Sequence, residues 1–167
     1  MRGVYFLGKA PRGRRIASDF GGDLLLLSTY GVLLASKLVA GLPLGDITTS
    51  ITGKINSRLN RIMDRTLNEF GWEMKLHPRE QFVMVIMPQE VGIPPQQYVY
   101  NILTESWCRF VGMPIKTAEV WKGEFFMGSQ DNRIFVYSGY ADNVLIEDNG
   151  ESSYAIYWQM LTTFNSY

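Results

Sequence analysis

Apolar residues in this chain come in short runs, each cut by a polar or glycine-containing turn, and this rhythm occurs three times. Residues 16–20 and 24–27 flank Gly21-Gly22-Asp23, and residues 32–35 follow Thr29-Tyr30-Gly31. Residues 74–76 and 81–87 flank a His77-Pro78 turn, and residues 98–103 follow a Pro94-Pro95 loop. Residues 117–121 and 125–127 flank Lys122-Gly123-Glu124, and residues 134–137 follow Gln130-Asp131-Asn132. Alternation with a period of two, bounded by such turns, predicts antiparallel strands near 23–28, 31–36, 81–87, 97–103, 115–121, 124–128 and 133–138. Gly21-Gly22 and Lys122-Gly123 supply the positive φ that a tight hairpin needs. Small antiparallel sheets recurring every 40 to 50 residues or so are the pattern of propeller blades. The expected class is mainly β, a partial β-propeller of two to three antiparallel blades near 14–40, 71–111 and 115–164.

Residues 51–70, ITGKINSRLNRIMDRTLNEF, break the rhythm. Ile51, Ile55, Leu59, Ile62, Met63, Leu67 and Phe70 fall on one face at about 100° per residue, which predicts one long amphipathic helix inserted between blades. Gly71 ends it, and Thr48, Thr49 and Ser50 are candidate N-caps. On another side Lys54, Arg58, Arg61 and Arg65 superpose in a narrow basic stripe. Two readings of that stripe stand: a solvated helix face, or a contact for DNA or for a neighbouring subunit. Two or three blades do not close a toroid, so apolar faces and strand edges need cover. The helix is expected to cap one end; a second copy, or the terminal strands 4–7 and 154–161, are the alternatives.

The totals add little that is specific. A chain of 167 residues, 46% hydrophobic and 19% charged, is expected to form a single domain over 1–167. The net charge of zero hides an asymmetry. Residues 1–65 carry ten Lys/Arg against four Asp/Glu, and residues 66–167 carry six against twelve, so the two parts are +6 and −6. Such a dipole suits a molecule that meets copies of itself, or a polyanion, in a fixed orientation. No apolar run approaches the roughly 18 residues of a membrane span, and the apolar part of MRGVYFLGKAPRGRR is too short for a signal peptide. The expectation is a soluble protein that is not secreted by the usual route. A single cysteine and a single histidine exclude an internal disulfide and the common Cys/His zinc sites.

Four features invite chemistry and fail on physical grounds. Gly3 to Ala10 nearly matches a phosphate-binding loop, but its middle is a strand-like run, Ala10 has no hydroxyl for magnesium, and Pro11 follows. Cys108 stands beside Arg109, yet on a strand the two side chains point to opposite faces, and Phe110 shares the side of Cys108; a core cysteine is expected. His77 precedes a proline at a turn and has no partner that the sequence identifies. The acidic turns at Asp131-Asn132, Asp142-Asn143 and 147–151 do not fit a calcium loop, since Leu145 stands five residues before Gly150. No catalytic, cofactor-binding or metal-binding residues are assigned, and the chain is not expected to be an enzyme.

The order of parts is more informative: the amphipathic helix, Phe70-Gly71-Trp72, the strand ending at His77-Pro78, and the strand from Phe82 that closes at Pro88. QYVYNILTESWCRF from Gln97, a turn at Gly112, and AEVWKGEFFMG from Ala118 follow. This succession resembles the β-propeller tail nozzle or head-completion proteins of short-tailed bacteriophages and prophages, which close the DNA exit below the portal and stabilise packaged DNA. The resemblance runs from Phe20-Gly21-Gly22-Asp23 to Thr162-Thr163-Phe164 and is most specific in the run from Gln97 to Phe110 with the strand pair around Lys122-Gly123. Members of that family are longer, so it implies either a fragment or a naturally short member. It implies a structural protein of the virion tail or head–tail junction, made in the bacterial host cytoplasm. Its expected partners are its own copies in a homo-oligomeric ring, portal or adaptor and other tail proteins, and packaged DNA through nonspecific contact. No cofactor and no membrane are expected. Under it, Trp107 and Phe110 fill spaces within or between blades. The alternative is a propeller-type carbohydrate-binding or glycoside-cleaving protein, which needs two carboxylates in one cleft. A third reading is a nucleic-acid-binding module, against which stands the absence of aromatics interleaved with the arginines.

Overall fold

The computed structural model describes Gly13, residues 15–40, 50–66, 68–130 and 132–137, and the backbone of residues 157–161. The chain is mainly β, with three small antiparallel sheets. In order the elements are β1 (Ala17–Phe20), β2 (Asp23–Ser28), β3 (Gly31–Leu34), α1 (Ala35–Val39), α2 (Asn56–Arg65), β4 (Glu73–His77), β5 (Phe82–Ile86), β6 (Gln96–Asn101), β7 (Ser106–Val111), β8 (Ile115–Trp121), β9 (Glu124–Ser129), β10 (Ile134–Tyr137) and β11 (Tyr157–Leu161). The sheets run β1-β2-β3, β10-β9-β8 and β11-β7-β6-β5-β4. Contacts divide the chain into two compact units, Met1–Leu76 and His77–Tyr167.

In the first unit the meander begins at Gly21-Gly22, where Phe20 faces Asp23, and turns again where Ser28 faces Gly31. Leu25, Leu27, Val32 and Leu33 are buried by it. The strand expected over 31–36 stops at Leu34 and gives way to α1. The cause lies thirteen residues back: the carboxylate of Asp23 accepts hydrogen bonds from the Ser36 backbone N–H at 3.1 Å and from the Ser36 hydroxyl at 2.5 Å. The Ser36 hydroxyl, followed by the Leu24 N–H, holds the Asp23 carboxyl below its ordinary pKa.

The long helix expected over 51–70 is a correction. Helix α2 covers only Asn56–Arg65, and residues 51–55 form turns. Ser50 bridges Leu33, and the Ile51 N–H donates to the Val32 carbonyl at 3.0 Å, so this backbone is drawn into an interaction with β3. The hydroxyl of Thr52 accepts from the Val32 N–H at 3.0 Å and donates to Asn56 Oδ1 at 2.5 Å. These bonds hold the segment out of helical conformation. Ser50 is therefore not an N-cap: Ile55 occupies that position without a side-chain capping bond, while Thr48 and Thr49 lie outside the described residues. At the other end the Thr66 hydroxyl donates back to the Ile62 carbonyl at 2.8 Å, and the Glu69 N–H closes a turn onto Thr66. Phe70 ends 71% exposed. The helix is still two-sided, with Leu59, Ile62 and Met63 buried, and it lies against β3.

In the second unit the Lys122-Gly123 hairpin is built as its chemistry demands, with φ of 52° and 82°. Strand β8 has the expected bounds. Strand β6 stops at Asn101, short of the expected Leu103, because Asn101 Oδ1 accepts the Leu103 and Thr104 N–H groups at 3.0 Å and turns the chain. One core joins faces of two sheets: Phe82, Met84 and Ile86 of β5 and Val99 of β6 cluster with Ile115, Ala118, Phe125 and Met127 of β8 and β9. Buried Gln97 ties the layers, accepting from the Met87 N–H at 2.8 Å and donating to the Ile115 carbonyl at 3.4 Å. Strand β11, within the expected 154–161 segment, adds edge-on to β7, with Tyr157 opposite Val111 and Leu161 opposite Trp107. Residues 4–7 lie outside the described residues. No helix among the described residues is long and apolar enough to cross a membrane.

Candidate interaction surface

The four candidate cations are all exposed. Arg58, Arg61 and Arg65 project from α2, while Lys54 belongs to the turn before it, so the stripe is three helical residues extended by one turn residue. Their placement follows from burial on the opposite side: once Leu59, Ile62 and Met63 face the interior, helical geometry sends positions 58, 61 and 65 outward. Asp64 is the only acid in α2, so the face carries a net positive charge. Exposed cations with long flexible stems suit phosphate oxygens that vary in position.

A second surface escaped the sequence reading. In the β8–β10 sheet, Ala118, Val120, Phe125, Met127, Phe135 and Tyr137 point to the core. The opposite face carries Trp121, Phe126, Ile134 and Val136, of which Trp121 is 60% and Ile134 77% exposed. Trp121 and Phe126 meet edge to face at 5.9 Å, and the Lys122 ammonium lies 4.4 Å from the Trp121 ring centroid. Both strand faces read as apolar in the sequence, and only the packing of one of them reveals the other as open.

The Trp107-Cys108-Arg109 triplet is one stretch of β7. Trp107 is buried against Tyr100, with ring centroids 5.1 Å apart, while Cys108 and Phe110 pack on the opposite face against the core cluster. Arg109 turns away and donates to Gln96 Oε1 at 3.2 Å. The Cys108 thiol makes a 3.5 Å contact to the Val99 carbonyl, and burial pushes its pKa up to about 11. Alkylation of Cys108 at pH 8 should therefore be about 100-fold slower in the native chain than in urea, because so little thiolate forms. Equal rates of iodoacetamide labelling would contradict its placement.

Among the described residues no group of three or more His, Cys, Asp and Glu is arranged to hold a metal ion. Residues 1–12, Asp131 and the acidic turns over 142–151 lie outside the described residues. Compared with models of known protein families, with curated proteins and with solved structures, the chain matches none.

Proposed function

We propose that the chain is a non-enzymatic structural component of a bacteriophage or prophage virion, seated in the tail or head–tail connector, where it helps to close the DNA exit channel and retain packaged DNA. Its small sheets are two to three blades of a partial β-propeller. Its partners are further copies of itself in a ring, the portal or adaptor and other tail proteins, with nonspecific contact to packaged DNA. The opposite net charges of residues 1–65 and 66–167 suit a molecule that meets copies of itself. The observation that carries this reading is the exposed cationic face made by Arg58, Arg61 and Arg65 on a helix whose other side is buried, extended by Lys54 in the turn before it. The family resemblance between Gln97 and Gly128 supports it as well.

Phosphate contacts release counterions, so duplex binding through these four residues should weaken steeply with salt. Replacing all four by glutamine is expected to reduce the slope of log K against log salt by about 3–4. Fluorescence anisotropy with a labelled duplex measures this, and circular dichroism checks that the variant folds. A wild-type chain that fails to bind at low salt, or a variant with an unchanged slope, removes the DNA contact. Mass spectrometry of purified particles tests the virion assignment separately.

A further inference from the structure

We infer that His77 is a pH-sensitive joint between the two sheets of the second unit, and that adding a proton to its imidazole loosens the packing of β9 and β10 on β5. His77 closes β4 and is only 2% exposed. Its ring stacks on Phe125 at 5.1 Å and 18°, and meets Phe82 and Tyr137 edge to face at 5.1 and 5.9 Å. Phe82 in turn lies 5.6 Å from Phe125 and 5.4 Å from Tyr137. The imidazole is thus one of four mutually packed rings contributed by β4, β5, β9 and β10.

Its Nδ1 is buried and has no hydrogen-bond partner among the described residues. Neutral imidazole tolerates this, because the unprotonated nitrogen loses only an acceptor interaction. A proton there creates a buried donor without an acceptor and places a charge among hydrocarbon rings. Among the described residues the charges that act on His77 are few. Strand β5 has no ionisable side chain, β10 brings the Tyr137 phenol, and β9 begins with Glu124, which pairs with Arg79 at 2.9 Å. Burial, the largest influence, lowers the imidazole pKa below 6.5; Glu80 and Glu124 oppose this, and Arg79 reinforces it.

The sign follows from proton linkage. Below the ordinary value of 6.5 the unfolded or opened chain binds a proton that the packed form refuses. The packed form is therefore favoured in full above that value and loses ground as pH falls toward the depressed native value. Within this window the opening equilibrium shifts by up to about tenfold per pH unit.

His77 is the only histidine, so its ring proton resonances titrate without overlap. Between pH 7 and 5, above the range where ordinary carboxylates titrate, the expected result is a midpoint below 6.5. The amides of β9 and β10 should lose protection over the same range, after correction for intrinsic exchange rates. His77→Phe, which keeps a ring in place, should abolish this loss. A midpoint at or above 6.5, or protection that stays constant between pH 7 and 5, would overturn the inference. Loss of protection that persists in a folded His77→Phe variant would do the same, and the wild-type titration decides the matter if that variant does not fold.

Discussion

Replacing Phe125 by alanine is expected to lower the unfolding free energy of the second unit by about 3–5 kcal/mol. Phe125 is fully buried, stacks on His77 and meets Phe82 at 5.6 Å. Its strand neighbours Val120 and Tyr137 pack into the same cluster. Removing the ring takes away apolar burial and leaves a space that β-sheet backbones on both sides cannot collapse into. The adjacent residue provides the control. Phe126 points to the open face beside Trp121, and its replacement by alanine should cost under about 1 kcal/mol. Urea titrations followed by circular dichroism compare the two. Equal losses would mean that the two faces of this sheet are not differently packed.

Gly31→Ala should cost about 3 kcal/mol or more, by a different route. Gly31 has φ of 100°, a conformation that side chains rarely adopt. A Cβ at this position would stand 1.9 Å from Thr52 Oγ1, 2.3 Å from Asn56 Oδ1 and 2.6 Å from Ser50 Oγ. Those atoms belong to the network that joins β3 to the start of α2. It includes the Val32 N–H to Thr52 bond, the Thr52 to Asn56 bond, and the 3.2 Å bond from Asn56 Nδ2 to the Tyr30 carbonyl. Moving them breaks the buried Val32 N–H to Thr52 bond and disturbs the partly buried Thr52 to Asn56 bond, and a buried donor left unpaired costs about 1–3 kcal/mol. Gly22→Ala separates strain from collision, since Gly22 also has positive φ, 88°, but nothing within 4 Å of an added Cβ. It should cost only the backbone strain, about 1 kcal/mol. Thermal melts of both variants test this: if Gly31→Ala were no worse than Gly22→Ala, the crowded network would not be what demands the glycine.

Local chemistry was enough to read the parts of the chain whose hydrogen bonds close locally. The strands on either side of Lys122-Gly123, and the β2–β3 turn, follow from alternation and from residues that accept positive φ within a few positions. The buried and exposed sides of α2 were legible for the same reason, since helical periodicity alone sends Leu59 and Ile62 one way and Arg58 and Arg61 the other. The same periodicity overestimated the length of the helix. Ile51 and Ile55 match the apolar face, but partners twenty residues away in β3 claim the backbone and hydroxyls of 50–52. Helix α1 depends on a carboxylate thirteen residues distant, and β11 finds its edge on β7 after a separation of some 46 residues. Composition around His77 showed only a turn residue before a proline; its burial arises because rings from three other strands converge on it. The division is one of range: short-range backbone geometry is encoded residue by residue, whereas which face is covered, which hydroxyl is claimed and which nitrogen is left without a partner depend on the long-range packing of the folded chain.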